Sequence, residues 1–103
     1  DGERLMEKLK KYFKMIVDEI KSADEYADMA AKFKSTDSAL TEDYHEIAEQ
    51  ELHHKEVLEK TVKRYIDDCK NESGESCADM EVVFDFVKDV SESMVEPIMA
   101  KLK

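Results

Sequence analysis

The sequence predicts an all-α fold, an antiparallel hairpin of two long helices with a third helix beside it. Three observations lead there. The 103 residues include only 2 Gly and 1 Pro, so little interrupts a helix and strands would have few turns to use. Apolar residues recur at helical spacing along three long stretches. Charged residues make up 41% of the chain, enough to coat the outer faces of such helices.

The first helix is expected over about residues 3–34, with Leu5, Leu9, Tyr12, Ile16, Ile20, Ala23, Ala27 and Ala30 on one stripe. The stretch KSTDS then turns the chain, because Ser35, Thr36, Asp37 and Ser38 can accept hydrogen bonds from the free N–H groups of a new helix start. A second helix follows over about 38–70, with Leu40, Tyr44, Ile47, Ala48, Leu58, Val62, Tyr65 and Ile66 on one side. The segment NESGES ends it, Gly74 being the residue best suited to a left-handed conformation. The third helix is expected over about 76–102, capped by Ser76 with Asp79 and turning Met80, Val83, Val87, Val90, Met94 and Ile98 inward. Pro97 must kink that helix or begin a separate last turn, since its ring clashes with the carbonyl four residues back.

A chain of this length forms one domain, residues 1–103, at the small end of what a single core supports. Three helices with broad stripes do not close a four-helix bundle, so dimerisation is expected to complete the core. The six Met residues mostly fall on stripes and read as core filler.

The net charge of -10 and pI near 4.7 exclude a nucleic-acid-binding role, because phosphate contacts need a basic face and the Lys and Arg residues here are interleaved with acids. Cations or basic partners are favoured instead. No uncharged apolar run approaches the ~20 residues of a membrane span, and DGERLMEK has none of the regions of a signal peptide. These features predict a soluble protein, cytoplasmic or held inside a protein compartment. A chain beginning at Asp1 is also compatible with a leader that has been removed. Cys69 and Cys77 flank KNESGES. Oxidised, they would clip the loop between two helices, whereas a cytosolic setting leaves them as thiols, and with no His nearby they make a poor zinc site.

The functional signal lies in two carboxylates. On a helical wheel Glu51 falls between Ile47, Ala48 and Leu58, and Glu19 falls among Ile16, Ile20 and Ala23. Burying a carboxylate without a partner costs several kcal/mol, so these positions call for a cation, a proton or strong donors. With a turn near Thr36, both stand about 22–26 Å from it and would meet side by side in an antiparallel hairpin. His54 follows Glu51 by three residues, making ELHH an E-x-x-H element within reach of the same ion, while His53 points away. Tyrosines share the register: Tyr12, Glu19 and Tyr26 are spaced by sevens, as are Tyr44, Glu51 and Leu58. Tyr26 reads equally well as a phenol orienting a ligating carboxylate and as an ordinary core ring. A second candidate trio, His45, Glu49 and His53, shares a face at four-residue spacing and would suit structural zinc, although solvated charge is the commoner reading of such a face.

On Glu19, Tyr26 and the segment EQELHHKE, the stretch from Leu9 to Ile66 resembles the ferritin-like di-iron carboxylate superfamily, its rubrerythrin and encapsulated-ferritin branch more than ferritin itself. In that family one helix supplies a Glu, the next supplies E-x-x-H, and the pair occurs twice around two metals. The resemblance implies Glu19 as single-helix ligand, Glu51 as bridging ligand, His54 as terminal ligand and Tyr26 beside them. It implies a ferritin-like four-helix bundle and a di-iron cofactor, with manganese or zinc able to occupy the same donors. The expected activity is oxidation of ferrous iron by dioxygen or peroxide, a ferroxidase-type oxidoreductase.

The chain departs from the family in one respect. All three His lie between His45 and His54, so a single E-x-x-H is present, and no inward acid is expected on the third helix. A full centre then requires a homodimer or higher even oligomer, giving four carboxylates and two imidazoles about a two-fold axis. The rival expectation is a non-catalytic dimerisation or adaptor bundle without metal, in which Glu19 and Glu51 are protonated or bonded to tyrosines.

Overall fold

Helix α1 spans Gly2–Lys32, α2 spans Ser38–Ser73 and α3 spans Ala78–Lys101. They are seen in a computed structural model that describes residues 2–73 and 77–103, and no strand occurs among those residues. The ends fall within three residues of expectation for all three helices. The proposed roles of Gly74 and Ser76 lie outside the described residues.

Asp37 starts α2 much as its sequence context predicts. Its Oδ1 accepts the Leu40 N–H at 3.1 Å, and its carbonyl accepts the Thr41 N–H at 3.0 Å, so a capping bond and the first helical bond form together. The Asp37 N–H in turn donates to the Phe33 carbonyl at 2.9 Å, which closes the end of α1. Across the turn, the Thr41 hydroxyl donates to the Ala30 carbonyl at 3.0 Å and ties the two helices where they begin to pack.

The core lies between α1 and α2, where Leu9, Ile16, Ile20, Ala23 and Ala27 meet Leu52, Val62 and Ile66. Side-chain size is graded along it. Near the turn, Ala23, Ala27, Ala30 and Ala48 are buried and allow the backbones a close approach, while the bulkier Leu9, Ile16, Val62 and Ile66 fill the open end. The result is a rod of 56 × 18 × 17 Å. Among the described residues no helix is long and apolar enough to cross a membrane.

α3 packs along one side of the hairpin, but not on the face expected. Of the six residues predicted to turn inward, Met80 and Ile98 are buried; Val87 is half-buried and Val83, Val90 and Met94 are exposed. The contact is made by Met80, Phe84, Ser91 and Ile98 instead. Phe84, Ser91 and Ile98 recur every seven residues, and Ser91 can be buried because its Oγ donates to the Val87 carbonyl at 2.8 Å. Pro97 neither ends α3 nor starts a new turn, since one helix runs on to Lys101. Pro97 is exposed, so the partner its ring denies the backbone can be replaced by water.

The ends of α3 are pinned. Cys69 and Cys77, which a cytosolic reading leaves as thiols, form a disulfide with a Cα–Cα distance of 6.0 Å. Lys70 pairs with Glu81 beside it. At the other end Lys101 reaches Asp24 at 2.6 Å and Asp28 at 2.8 Å, and the His45 Nε2 lies 2.8 Å from the Leu102 carbonyl, to which it donates. The disulfide closes a loop with a sequence separation of 8. Closing so short a loop is worth about 2–3 kcal/mol through the unfolded chain. Reduced protein, or the double variant Cys69→Ser/Cys77→Ser, is therefore expected to unfold at a lower urea midpoint by that free energy. An unchanged midpoint would remove the bond from the stability of α3.

Candidate metal centre

The hairpin register brings Glu19 on α1 opposite Glu51 and His54 on α2. One ligand atom from each lies within 4.8 Å of the other two, and among the described residues this is the group of carboxylate, imidazole or thiolate side chains that could hold a metal ion. The His54 Nδ1 stands 3.5 Å from Glu19 Oε2 and 3.8 Å from Glu51 Oε1. The sequence reading placed these three together, and the structure does so.

Depth differs from expectation. Glu19 and Glu51 keep 26% and 22% of their side-chain surface and His54 keeps 56%, so the group lies at the edge of the core. Its flank is the one α3 leaves open. The α1 residues that meet α3 or line a groove with it, Phe13, Val17, Lys21, Asp24 and Asp28, sit roughly 120–180° around the helix from Glu19. Aromatic pairs bracket the group along the rod. Tyr12 lies against Tyr65 at 5.8 Å on one side, and Tyr26 stacks on Tyr44 at 6.0 Å on the other, with Phe33 next to Tyr44 at 6.2 Å. The ring of Tyr26 thus packs against another ring, and among the described residues its hydroxyl makes no hydrogen bond to Glu19 or Glu51.

Two carboxylates this close cannot both carry charge comfortably. Hydrogen bonding to Glu19, partial desolvation and repulsion from the Glu19 charge push the Glu51 carboxyl above its ordinary value, and His54 opposes them. Glu19 Oε2 is buried with no hydrogen-bond partner. An oxygen in that condition has exchanged its water for no more than the His54 Nδ1 at 3.5 Å, a deficit that a cation would correct. Two oxygens and one imidazole nitrogen suit a divalent ion of the iron, manganese or zinc kind. The donors therefore fit a metal, but three ligands from one chain cover one side of it only.

The rival trio is not assembled. His45 Nδ1 pairs with Glu49 at 3.0 Å, but its Nε2 is committed to Leu102, and His53 is exposed beside a groove bordered by Val95 and Met99. The sequence reading also missed a buried pair: Lys55 and Glu59 are 3.1 Å apart with 8% and 9% of their side chains exposed. Its signal was available, since Glu59 sits on the wheel between Leu52 and Ile66.

No family model, curated protein or solved structure matches this chain.

The raised Glu51 carboxyl sets a pH dependence in the metal-free protein. The folded chain holds this proton more tightly than the unfolded chain. Its contribution is therefore full below the ordinary glutamate value of 4.5 and is lost as pH rises through the raised one. Glu51→Gln, which keeps the shape without the charge, is expected to raise the melting temperature of metal-free protein at neutral pH by a few degrees and to flatten this fall. Superimposable melting profiles of the two proteins across pH would mean that Glu19 and Glu51 do not contend for a proton.

Proposed function

We propose that the chain is a metal-binding protein of the ferritin-like di-iron carboxylate type, with its centre completed by a second copy, and that it oxidises ferrous iron with dioxygen or peroxide. The supporting observation is the convergence of Glu19, Glu51 and His54 from two helices around a buried, unpartnered carboxylate oxygen. The resemblance carried by Glu19, Tyr26 and EQELHHKE adds the reaction class.

Two copies facing each other across this flank would place four carboxylates and two imidazoles around a two-fold axis. Bound there, a di-metal centre would supply one-electron oxidation of ferrous ions, with dioxygen or peroxide taking up the electrons. The chain's own residues prepare that site. Glu19 and Glu51 lose their mutual repulsion when a divalent cation takes the place of the shared proton, so binding releases protons and weakens as pH falls. The His54 Nδ1 already faces both carboxylates and needs little movement to become a ligand. The tyrosine pairs above and below would keep water from entering along the rod once a second copy covers the flank. A net charge of -10 draws ferrous ions, the substrate, toward the protein, an effect that salt weakens.

Protein purified without chelator and supplied with ferrous iron or manganese is expected to hold about one ion per chain, as two chains around two metals require. Glu51→Ala and His54→Ala should each lower that content by tenfold or more at limiting metal, with ferrous oxidation falling in parallel. Equal metal content in wild type and both variants would exclude this centre and favour the metal-free adaptor bundle.

A further inference from the structure

α3 turns a second apolar arc away from its own chain. Val82 and Phe86 are 69% and 68% exposed, and Val83, Val90 and Met94 are exposed beside them. The side turned to the core carries Ser91, buried at the centre of the contact. A helix shaped only to cover its own hairpin would place an apolar side chain there. The pins at both ends of α3 hold the observed orientation. Of these, Phe86, Val90 and Met94 border a groove of about 430 Å³, whose opposite wall is Phe13 and Val17 of α1.

We infer that this groove is an interface with a second copy of the chain, on the flank opposite the candidate metal centre. Charge selects the occupant. The α1 wall of the groove carries Lys14 and Lys21 with Asp18 between them, and Lys10 lies one turn before Lys14. Asp89 and Glu96 lie on the solvent side of α3, and Lys10, Lys14, Lys21, Asp89 and Glu96 are all exposed. Within the described residues none of the five forms an ion pair. α1 and α3 run parallel, with Phe13 and Val17 level with Phe86 and Val90. A two-fold axis through the groove lays α3 of each copy over α1 of the other. Asp89 and Glu96 of each copy then meet Lys14 and Lys21 of the other, and do so twice. A foreign partner of one charge would match a single edge; a second copy matches both. Size agrees as well, since a flank of a rod 56 Å long and 18 Å wide offers about 1,000 Å², against about 800 Å² per partner in a standard interface.

The test is mass in solution, by sedimentation of the full chain at tens of micromolar, with metal content read alongside. Wild type is expected to be a dimer or larger. Phe86→Lys, at an exposed position, is expected to lower the mass at least twofold while keeping helicity and metal content, because the metal flank is untouched. Lys14→Glu/Lys21→Glu alone and Asp89→Lys/Glu96→Lys alone should each lower the mass similarly, and mixing the two variants should restore it. Glu51→Ala would lose metal yet keep the groove association, so failure of the metal reading and failure of this interface are told apart. A monomeric wild type, an unchanged mass in Phe86→Lys, or no recovery on mixing would each overturn the inference.

Discussion

The close approach of α1 and α2 near their turn is the constraint on which the other features depend. Ala23, Ala27, Ala30 and Ala48 are buried where the two helices pack, and the Thr41 hydroxyl bridges them at Ala30. At a separation set by alanines, side chains as long as glutamate reach each other across the seam, and Glu19 meets Glu51. Leucines in the same places would push the helices apart and let both carboxylates turn into water. The packing thus imposes a like-charge contact that unfolding would relieve, and the raised Glu51 carboxyl is its signature. Burial of Leu9, Ile16, Ile20, Val62 and Ile66 supplies the stability against which that contact is held.

Most of the hairpin was legible in the sequence because two helices packed against one another need one stripe each, and a 3.6-residue period identifies such a stripe without further information. Leu9, Ile16, Ile20 and Ala23 on α1 and Ala48, Val62 and Ile66 on α2 are buried as their spacing requires. The meeting of Glu19, Glu51 and His54 was legible for a related reason, since rise per residue converts distance from the turn into height along the rod. The depth of the carboxylates was less so. Glu19 lies a modest angle off the centre of its stripe, and the same wheel position is buried or half-open according to what covers that flank. α3 defeated the pattern altogether. It carries two apolar arcs, and periodicity alone cannot tell which one faces its own hairpin; Ser91 in the core decides it, and a serine is what a hydrophobic reading discards.

Once α3 is recognised as held by its ends, its orientation has a physical basis. A disulfide at Cys69 and Cys77, and the links of Lys101 and Leu102 to α1 and α2, constrain rotation without requiring many apolar contacts between them. Phe84 and Ile98 supply the apolar contact, and Phe84 borders the same cavity as the buried Lys55–Glu59 pair. A buried ion pair adds little net stability, but any register that separated it would leave a charge uncompensated, which is strongly unfavourable. Glu59 also keeps one buried oxygen without a hydrogen-bond partner, so the pair already sits near the limit of what the site tolerates. Specificity of α3 placement, more than strength, is what these polar contacts contribute.

The two flanks of the hairpin are consequently unlike in what they lack. On one, charged donors converge and the strain is electrostatic: two carboxylates repel each other beside an imidazole, bordered by paired phenols. On the other the deficiency is hydrophobic, since α3 covers the hairpin with one apolar arc and turns the other, with Val82, Phe86 and Val90, to water. One chain cannot remedy both, because rotating α3 to hide its valines would pull Phe84 from the core and disturb the pins at its ends. Each is met, on the proposed reading, by a two-fold pairing, and the two pairings use opposite sides of the rod, so neither blocks the other. On the proposed reading, completing the metal centre joins chains in pairs and the groove joins pairs to one another. Growth then continues until rotation closes a ring or the chains run on as a filament.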